Sequence, residues 1–225
     1  MIRKIAPNGA ITVLAGAGER GYSDGPAQSA RFNAPTGLAI DKAGNVYVAD
    51  SGNDIIRRVA PDGTVSTFAG TGERGYRDGA GRSAQFNTPT GIAIDGAGVL
   101  YVADAGNDLI RTITPDGNVT TLAGGARGFT DGQAGAARFN LPVALALDPS
   151  GALYVVDQGN DIIRRVGPDG AVTTVIGSGE RGYADGARRS AQFNAPSGIA
   201  LDGAGNLYIV DQGNDLVRKV TPEER

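Results

Sequence analysis

The stretch Pro35-Thr36-Gly37-Leu38-Ala39-Ile40-Asp41-Lys42-Ala43-Gly44-Asn45-Val46-Tyr47-Val48-Ala49-Asp50-Ser51-Gly52-Asn53-Asp54-Ile55-Ile56-Arg57-Arg58-Val59 decides the fold. Three short apolar runs, 37–41, 45–50 and 54–59, are cut by turns at Lys42-Ala43-Gly44 and Ser51-Gly52-Asn53. Next comes Pro61-Asp62-Gly63, a turn with a mechanism: proline presets φ and glycine accepts a positive one. The run Thr64-Val65-Ser66-Thr67-Phe68-Ala69 then alternates as a fourth strand. A segment of about twenty residues rich in glycine and charge, Gly70 to Pro89, ends the unit. No stretch shows sustained helical periodicity.

The unit repeats. Phe-Asn-(Ala/Thr/Leu)-Pro occurs with Phe32, Phe86, Phe139 and Phe193 at spacings of 54, 53 and 54, and Asp50, Asp104, Asp157 and Asp211 keep the same steps. Four short antiparallel strands per repeat of this length fit the blade of a β-propeller. The expected fold is therefore all-β: a β-propeller of four-stranded antiparallel blades, one domain or half-propeller over residues 1–225. Ile2-Arg3-Lys4-Ile5-Ala6-Pro7 aligns with Val217-Arg218-Lys219-Val220-Thr221-Pro222, so the chain opens and closes at the same point of the repeat. The last blade then lacks its own fourth strand. Ile11-Thr12-Val13-Leu14-Ala15 is expected to supply it, within the chain or between two chains as an eight-bladed dimer. A fragment or an engineered repeat protein with no natural activity also fits that phase.

Composition closes off much chemistry. Among 225 residues there is no His, Cys or Trp, and the only Met is Met1. Histidine triads, histidine-ligated zinc and histidine pH switches are excluded, as are disulfides, thiol nucleophiles and iron–sulfur clusters. Net charge is −3, which argues against a general polyanion trap. Met1 to Pro7 has no apolar signal region, and no run approaches the ~20 apolar residues that span a bilayer. As written, the chain is expected to be cytoplasmic and without a membrane partner.

With these residues in view, the stretch 35–59 resembles the NHL repeat of β-propeller proteins, and the resemblance covers all four units. Ala69-Gly70-Thr71-Gly72-Glu73-Arg74-Gly75-Tyr76 is similar to the long inter-blade loop of bacterial and plant members. The resemblance implies the fold and little about activity, because such propellers include protein-binding, RNA-binding and enzymatic members. They most often have six blades in one chain, and four repeats depart from that.

Antiparallel order places the turns between the second and third strands at one face together with the long loops, where function usually sits. The candidate ligand-binding residues there are Arg20 and Tyr22, Arg74 and Tyr76, Arg127 and Phe129, Arg181 and Tyr183, with Gln158 and Gln212 at the channel mouth. Asp24, Asp78, Asp131 and Asp185 follow on the same loops. Asp50, Asp104, Asp157 and Asp211 are weak candidates for metal, grouped with Asn53, Asp54 and their repeats. A plainer reading accompanies each set. A group present in every blade belongs first to the architecture: the four aspartates accept turn amides, and Arg57, Arg111, Arg164 and Arg218 pair with aspartates. The loop aromatics are expected to tuck under their loops as a satellite core, and the Asp-Gly pairs at 24–25, 78–79, 131–132 and 185–186 read as turns. Repeat three breaks the symmetry most, and Val143 and Ala144 are expected to fill space left open beside Gly37, Gly91 and Gly198.

The leading functional expectation is a non-enzymatic scaffold that binds a protein, a peptide or a glycan, with no catalytic residue and no cofactor. The first alternative is a small-molecule enzyme at the channel mouth. Histidine-zinc amidating lyases are excluded, so the resemblance leaves a calcium-dependent, lactonase-like site. The second is single-stranded RNA binding by the loop arginines and aromatics, which the adjacent carboxylates oppose. A second copy of the chain is the remaining expected partner.

Overall fold

The computed structural model describes residues 1–222. They fall into two compact units: residues 1–100 with 113–120, and residues 101–112 with 121 onward. The fold is all-β and of the β-propeller class, its strands joined by turns, loops and single turns of 3₁₀ helix.

In the first unit, a hairpin of Ile2–Ile5 and Ile11–Ala15 precedes one complete blade. That blade orders its strands a, b, c and d as Pro35–Ile40, Val46–Asp50, Ile55–Val59 and Val65–Ala69. The cause is the short-turn chemistry. Asp41 accepts the amides of Ala43 (3.0 Å) and Asn45 (2.8 Å), closing the a–b turn. Gly63, at φ +86°, closes the c–d turn by donating to the Ala60 carbonyl at 2.8 Å. The b–c turn is a 3₁₀ turn, Ser51–Asn53, followed by Asp54 at φ 54°. Aspartate tolerates this left-handed geometry, so strand c starts at Ile55 and Asp54 belongs to the turn. Strands b and c are buried along nearly their whole length, while Val65, Thr67 and Ala69 of strand d alternate inward. The core is Ile2, Ala15, Ala30, Phe32, Val46, Val48, Val59 and Val65.

The second repeat supplies strands Pro89–Ile94, Leu100–Asp104, Leu109–Ile113 and Asn118–Gly124, divided between the two units. In the second unit the third blade is Pro142–Leu147, Leu153–Asp157, Ile162–Val166 and Ala171–Ile176. The last sheet has three strands, Pro196–Leu201, Leu207–Asp211 and Leu216–Val220. Val156, Ile163, Ile176, Ala191, Phe193, Leu207 and Ile209 form its core, with Val143 and Ala144 packed against them.

Two expectations need correction. The Asp-Gly pairs are not simple turns. Gly25 forms a β-bridge with Val65, and Gly79–Ala80 and Gly132–Gln133 pair outside strand d of the following repeat. These three long loops thus each add an element to the edge of a sheet beyond strand d. Second, no space lies open beside Gly37: a Cβ there would press into the Thr90 carbonyl oxygen and stand 3.0 Å from Ile92 N. Ile11–Ala15 is the strand expected to close the last blade, within the chain or between two chains. That strand pairs with Ile2–Ile5, which occupies the place of a strand c.

Candidate functional site

The repeated Asp, Asn and Arg of strands b and c build one cluster per blade. Strand register sets Asp50 opposite Ile55 and Val48 opposite Arg57, so the guanidinium lies within reach of the carboxylate. Asp50 accepts the Asn33 amide at 2.7 Å, the Asn53 side-chain amide at 2.8 Å and Arg57 at 3.0 Å. Arg57 also donates to the carbonyls of Arg31 (2.9 Å) and Ser23 (2.8 Å) and to Asp24 (2.7 Å). Its Nε is buried without a hydrogen-bond partner. The Tyr22 and Phe32 rings lie 5.2 and 5.0 Å from the guanidinium carbon, so two aromatic groups cover the charge.

The third and fourth repeats copy this. Arg164 binds Asp157 and Asp131 between Phe129 and Phe139. Arg218 binds Asp211 and Asp185 between Tyr183 and Phe193. Arg111 pairs with Asp104 at 2.7 Å. Both members of the Arg57–Asp50, Arg111–Asp104 and Arg164–Asp157 pairs are fully buried, which is tolerable only because several hydrogen bonds compensate the lost hydration. The architectural reading of these aspartates and arginines matches the geometry.

As arranged, the Asp50, Asn53 and Asp54 set does not fit a calcium ion. Asp50 is committed to N–H donors. Asn53 donates to Asp50 and to Gly21 O, and Asp54 accepts the Thr88 amide at 2.6 Å and Arg74 at 3.3 Å. Among the described residues no group of three or more carboxylates gathers as a metal site.

Electrostatics separate the buried from the loop carboxylates. Burial pushes Asp157 up to about 6, against the lowering effect of the Asn140 amide, Asn160 and Arg164. Burial likewise raises Asp50. For Asp131 burial also opposes ionisation, but hydrogen bonds from Thr174 and the charge of Arg164 outweigh it and hold the carboxyl low. Between the ordinary aspartate range near pH 4 and about pH 6, the folded state keeps the Asp157 proton that the unfolded chain has lost. Stability should therefore fall as pH rises through that window and level off above it. Below about pH 4 the lowered Asp131 works in the opposite sense, losing its contribution as pH falls. A higher urea midpoint at pH 4.5 than at pH 7 is the expected result, and the reverse order would contradict it.

The long-loop candidates are placed differently. Arg74, Arg127 and Arg181 keep most of their side chains exposed while anchoring Nε on Asp54, Asp108 and Asp161 at 3.3, 3.1 and 3.1 Å. Arg20 is exposed, and its backbone pairs with Phe32. Tyr22, Tyr76, Phe129 and Tyr183 are 51%, 73%, 56% and 62% exposed. They are not a satellite core: Tyr22, Phe129 and Tyr183 each cap a strand-c arginine with one ring face and leave the rest to solvent. Gln158 donates to Pro196 O at 3.1 Å, as Ser51 donates to Pro89 O, so Gln158 ties neighbouring strands together. Gln212 is exposed. The b–c turn that carries Gln158 is tied to the long loops: Asn160 donates to Gly128 O at 2.9 Å, and Asp161, whose amide donates to Gln158 O, accepts Arg181 at 3.1 Å.

Sequence reasoning assigned no role to Thr67, Thr174, Asn33 or Asn140. Thr67 and Thr174 hold the loop aspartates Asp24 and Asp131 at 3.1 and 2.9 Å. Asn33 and Asn140 bind Gly52 O and Gly159 O at 2.9 and 3.0 Å, tying the long loop to the b–c turn. The available signal was the constancy of Phe-Asn-x-Pro, which served above only to set the phase.

Blades of this strand order with one buried Asp–Arg cluster each define a β-propeller protein. The NHL repeat family matches residues 32–54. The protein SUPPRESSOR OF QUENCHING 1, chloroplastic, of Arabidopsis thaliana is 28% identical over 95% of this chain and 22% of its own length. Human NHL repeat-containing protein 2 is 29% identical over 97% of this chain and 35% of its own. These matches make the chain similar to NHL-repeat β-propeller proteins. It spans about a fifth to a third of the length of these relatives. Among solved structures, an auxiliary nutrient binding protein from Bacteroides ovatus superposes with a TM-score of 0.72 at 22% identity, covering 99% of this chain and 58% of that one. That likeness shows the fold alone. No helix among the described residues is long and apolar enough to cross a membrane.

Proposed function

We propose that the chain is a non-enzymatic recognition scaffold that binds a protein, peptide or glycan segment at the long-loop ends of its blades. The exposed loop aromatics Tyr22, Tyr76, Phe129 and Tyr183, the last three on loops with an anchored and exposed arginine, carry this reading. Aromatic and arginine side chains supply most hot spots of protein interfaces. They are also preorganised here. Gly21, Gly75, Gly128 and Gly182 donate to the carbonyls of Phe32, Phe86, Phe139 and Phe193 at 2.9–3.2 Å, so the loops are already ordered and binding costs less entropy. The buried carboxylates, by contrast, are committed to holding strands.

A random linear peptide library displayed on phage tests the proposal. Peptides selected on the wild-type chain are titrated against a first variant, Tyr22→Ala with Tyr76→Ala, and a second, Phe129→Ala with Tyr183→Ala. Asp62→Ala, at a c–d turn, is the control. One aromatic pair should weaken binding tenfold or more, the range of two moderate hot spots, and the control should not. Failure to select any binding peptide, or wild-type affinity in both pair variants, would overturn the proposal.

A further inference from the structure

Among the described residues the last sheet ends in an open edge, strand Leu216–Val220, bordered by a groove. A groove of about 410 Å³ runs between Arg218–Pro222 on one wall and Asp185–Arg188 on the other, over a floor of Ile176, Ala191 and Phe193. In the first blade the equivalent place, between strand c and the loop residue Gly25, is filled by strand d, Val65–Ala69. In the third blade, Ala171–Ile176 fills it between Ile162–Val166 and Gly132–Gln133. The groove is thus the slot of one extended strand whose alternate residues point inward, as Val172, Thr174 and Ile176 do.

The chain contains a strand of that pattern. Ile11, Val13 and Ala15 alternate as Val65, Thr67 and Ala69 do, and Gly16 follows as Gly70 does. Ile11–Ala15 now pairs with Ile2–Ile5 through Ile2↔Ala15, Arg3↔Val13, Lys4↔Thr12 and Ile5↔Ile11, with an irregularity after the first pair. Strands c and d of the first blade use the same register and the same irregularity: Ile56↔Ala69, Arg57↔Thr67, Arg58↔Ser66 and Val59↔Val65. Ile2–Ile5 is therefore a stand-in for strand c. Among the described residues Arg3 donates to the Met1 sulfur at 3.3 Å, whereas Arg218 is anchored on Asp211 and Asp185.

We propose that Ile11–Ala15 of one copy leaves its own Ile2–Ile5 and inserts beside Leu216–Val220 of a second copy, each copy donating to the other in a two-fold dimer. The exchange trades one antiparallel pairing for another of equal register, so backbone hydrogen bonds are conserved. What changes is burial. Ile11, Val13, Leu216 and Val217 are 60%, 53%, 37% and 71% exposed in the single chain, and all four lie along the pairing that forms. Val13 takes the place of a threonine, so Asp185 keeps Arg218 as its partner in the slot.

The chain has no cysteine, which makes disulfide mapping clean. By the register above, Lys219 of one copy faces Thr12 of the other, at the Cα spacing of about 4.5–5.5 Å that a disulfide spans. A mixture of Thr12→Cys and Lys219→Cys chains should give a covalent dimer under mild oxidation that neither variant gives alone. The wild-type chain should scatter light at twice 22.8 kDa, with a concentration-dependent return to the single mass. A Thr12→Cys, Lys219→Cys double variant that closes within one chain would overturn the proposal. So would a mixture with no covalent dimer while Lys4→Cys with Thr12→Cys closes fully within one chain.

Discussion

Asp157→Ala should lower the free energy of unfolding by about 3–5 kcal/mol, the cost of breaking a buried ion pair by removing one member. Asp157 and Arg164 are both fully buried and 3.0 Å apart. Removing the carboxylate also strips the Asn140 amide and the Asn160 side chain of their acceptor, at 2.8 Å each. Asp131, partly exposed, remains the one carboxylate on Arg164. Adding Arg164→Met should recover part of the loss, because it removes a buried guanidinium that has lost its buried carboxylate and keeps an apolar filling between Phe129 and Phe139. Urea unfolding at pH 7 measures both. A loss below about 1 kcal/mol for Asp157→Ala, within the range of an ordinary surface pair, would show that the cluster is not what holds the blade together.

Gly37→Ala should cost about 3 kcal/mol, the upper part of the overpacking range. The position needs no unusual φ; the obstacle is backbone. The new methyl would meet the Thr90 carbonyl and the Ile92 amide, two groups of the next strand a that cannot rotate away. Gly203→Ala supplies the contrast, since a Cβ there meets nothing within 4 Å, and it should change stability by no more than about 0.5 kcal/mol. Equal thermal midpoints for the two variants would contradict the close approach of neighbouring strands.

The two variants mark what the sequence could and could not disclose. Strand periodicity and turn chemistry are local, so the four runs of 37–69 and the turns at Gly44 and Gly63 were legible to within a residue or two. The buried Asp–Arg pairing was legible because a group that recurs in every blade serves every blade. The crowding at Gly37 was not, because it depends on a strand 54 residues away. The Asp-Gly pairs misled for the same reason: alone they look like turns, yet Asp24 and Gly25 dock on Arg57, Thr67 and Val65 of the following strands. The aromatics at 22, 76, 129 and 183 were found as candidates, but their orientation was not written in the pattern. Tyr22, Phe129 and Tyr183 stack on the buried guanidinium of the following strand c. The doubled strand c at Ile2–Ile5 was visible as an alignment, while its occupation of the place beside Ile11–Ala15 was not.

If the buried clusters hold the blades and the loop ends do the binding, a bound ligand should leave its mark on the loops. Hydrogen–deuterium exchange of the chain with and without a saturating library-selected peptide tests this most directly. Slowed exchange is expected within 16–34 or 70–88 of the first unit, or within 124–141 or 177–195 of the second, and the c–d turns such as 60–64 should be unchanged. Protection confined to the c–d turns, or to strand a with no loop affected, would contradict the assignment of recognition to the long loops.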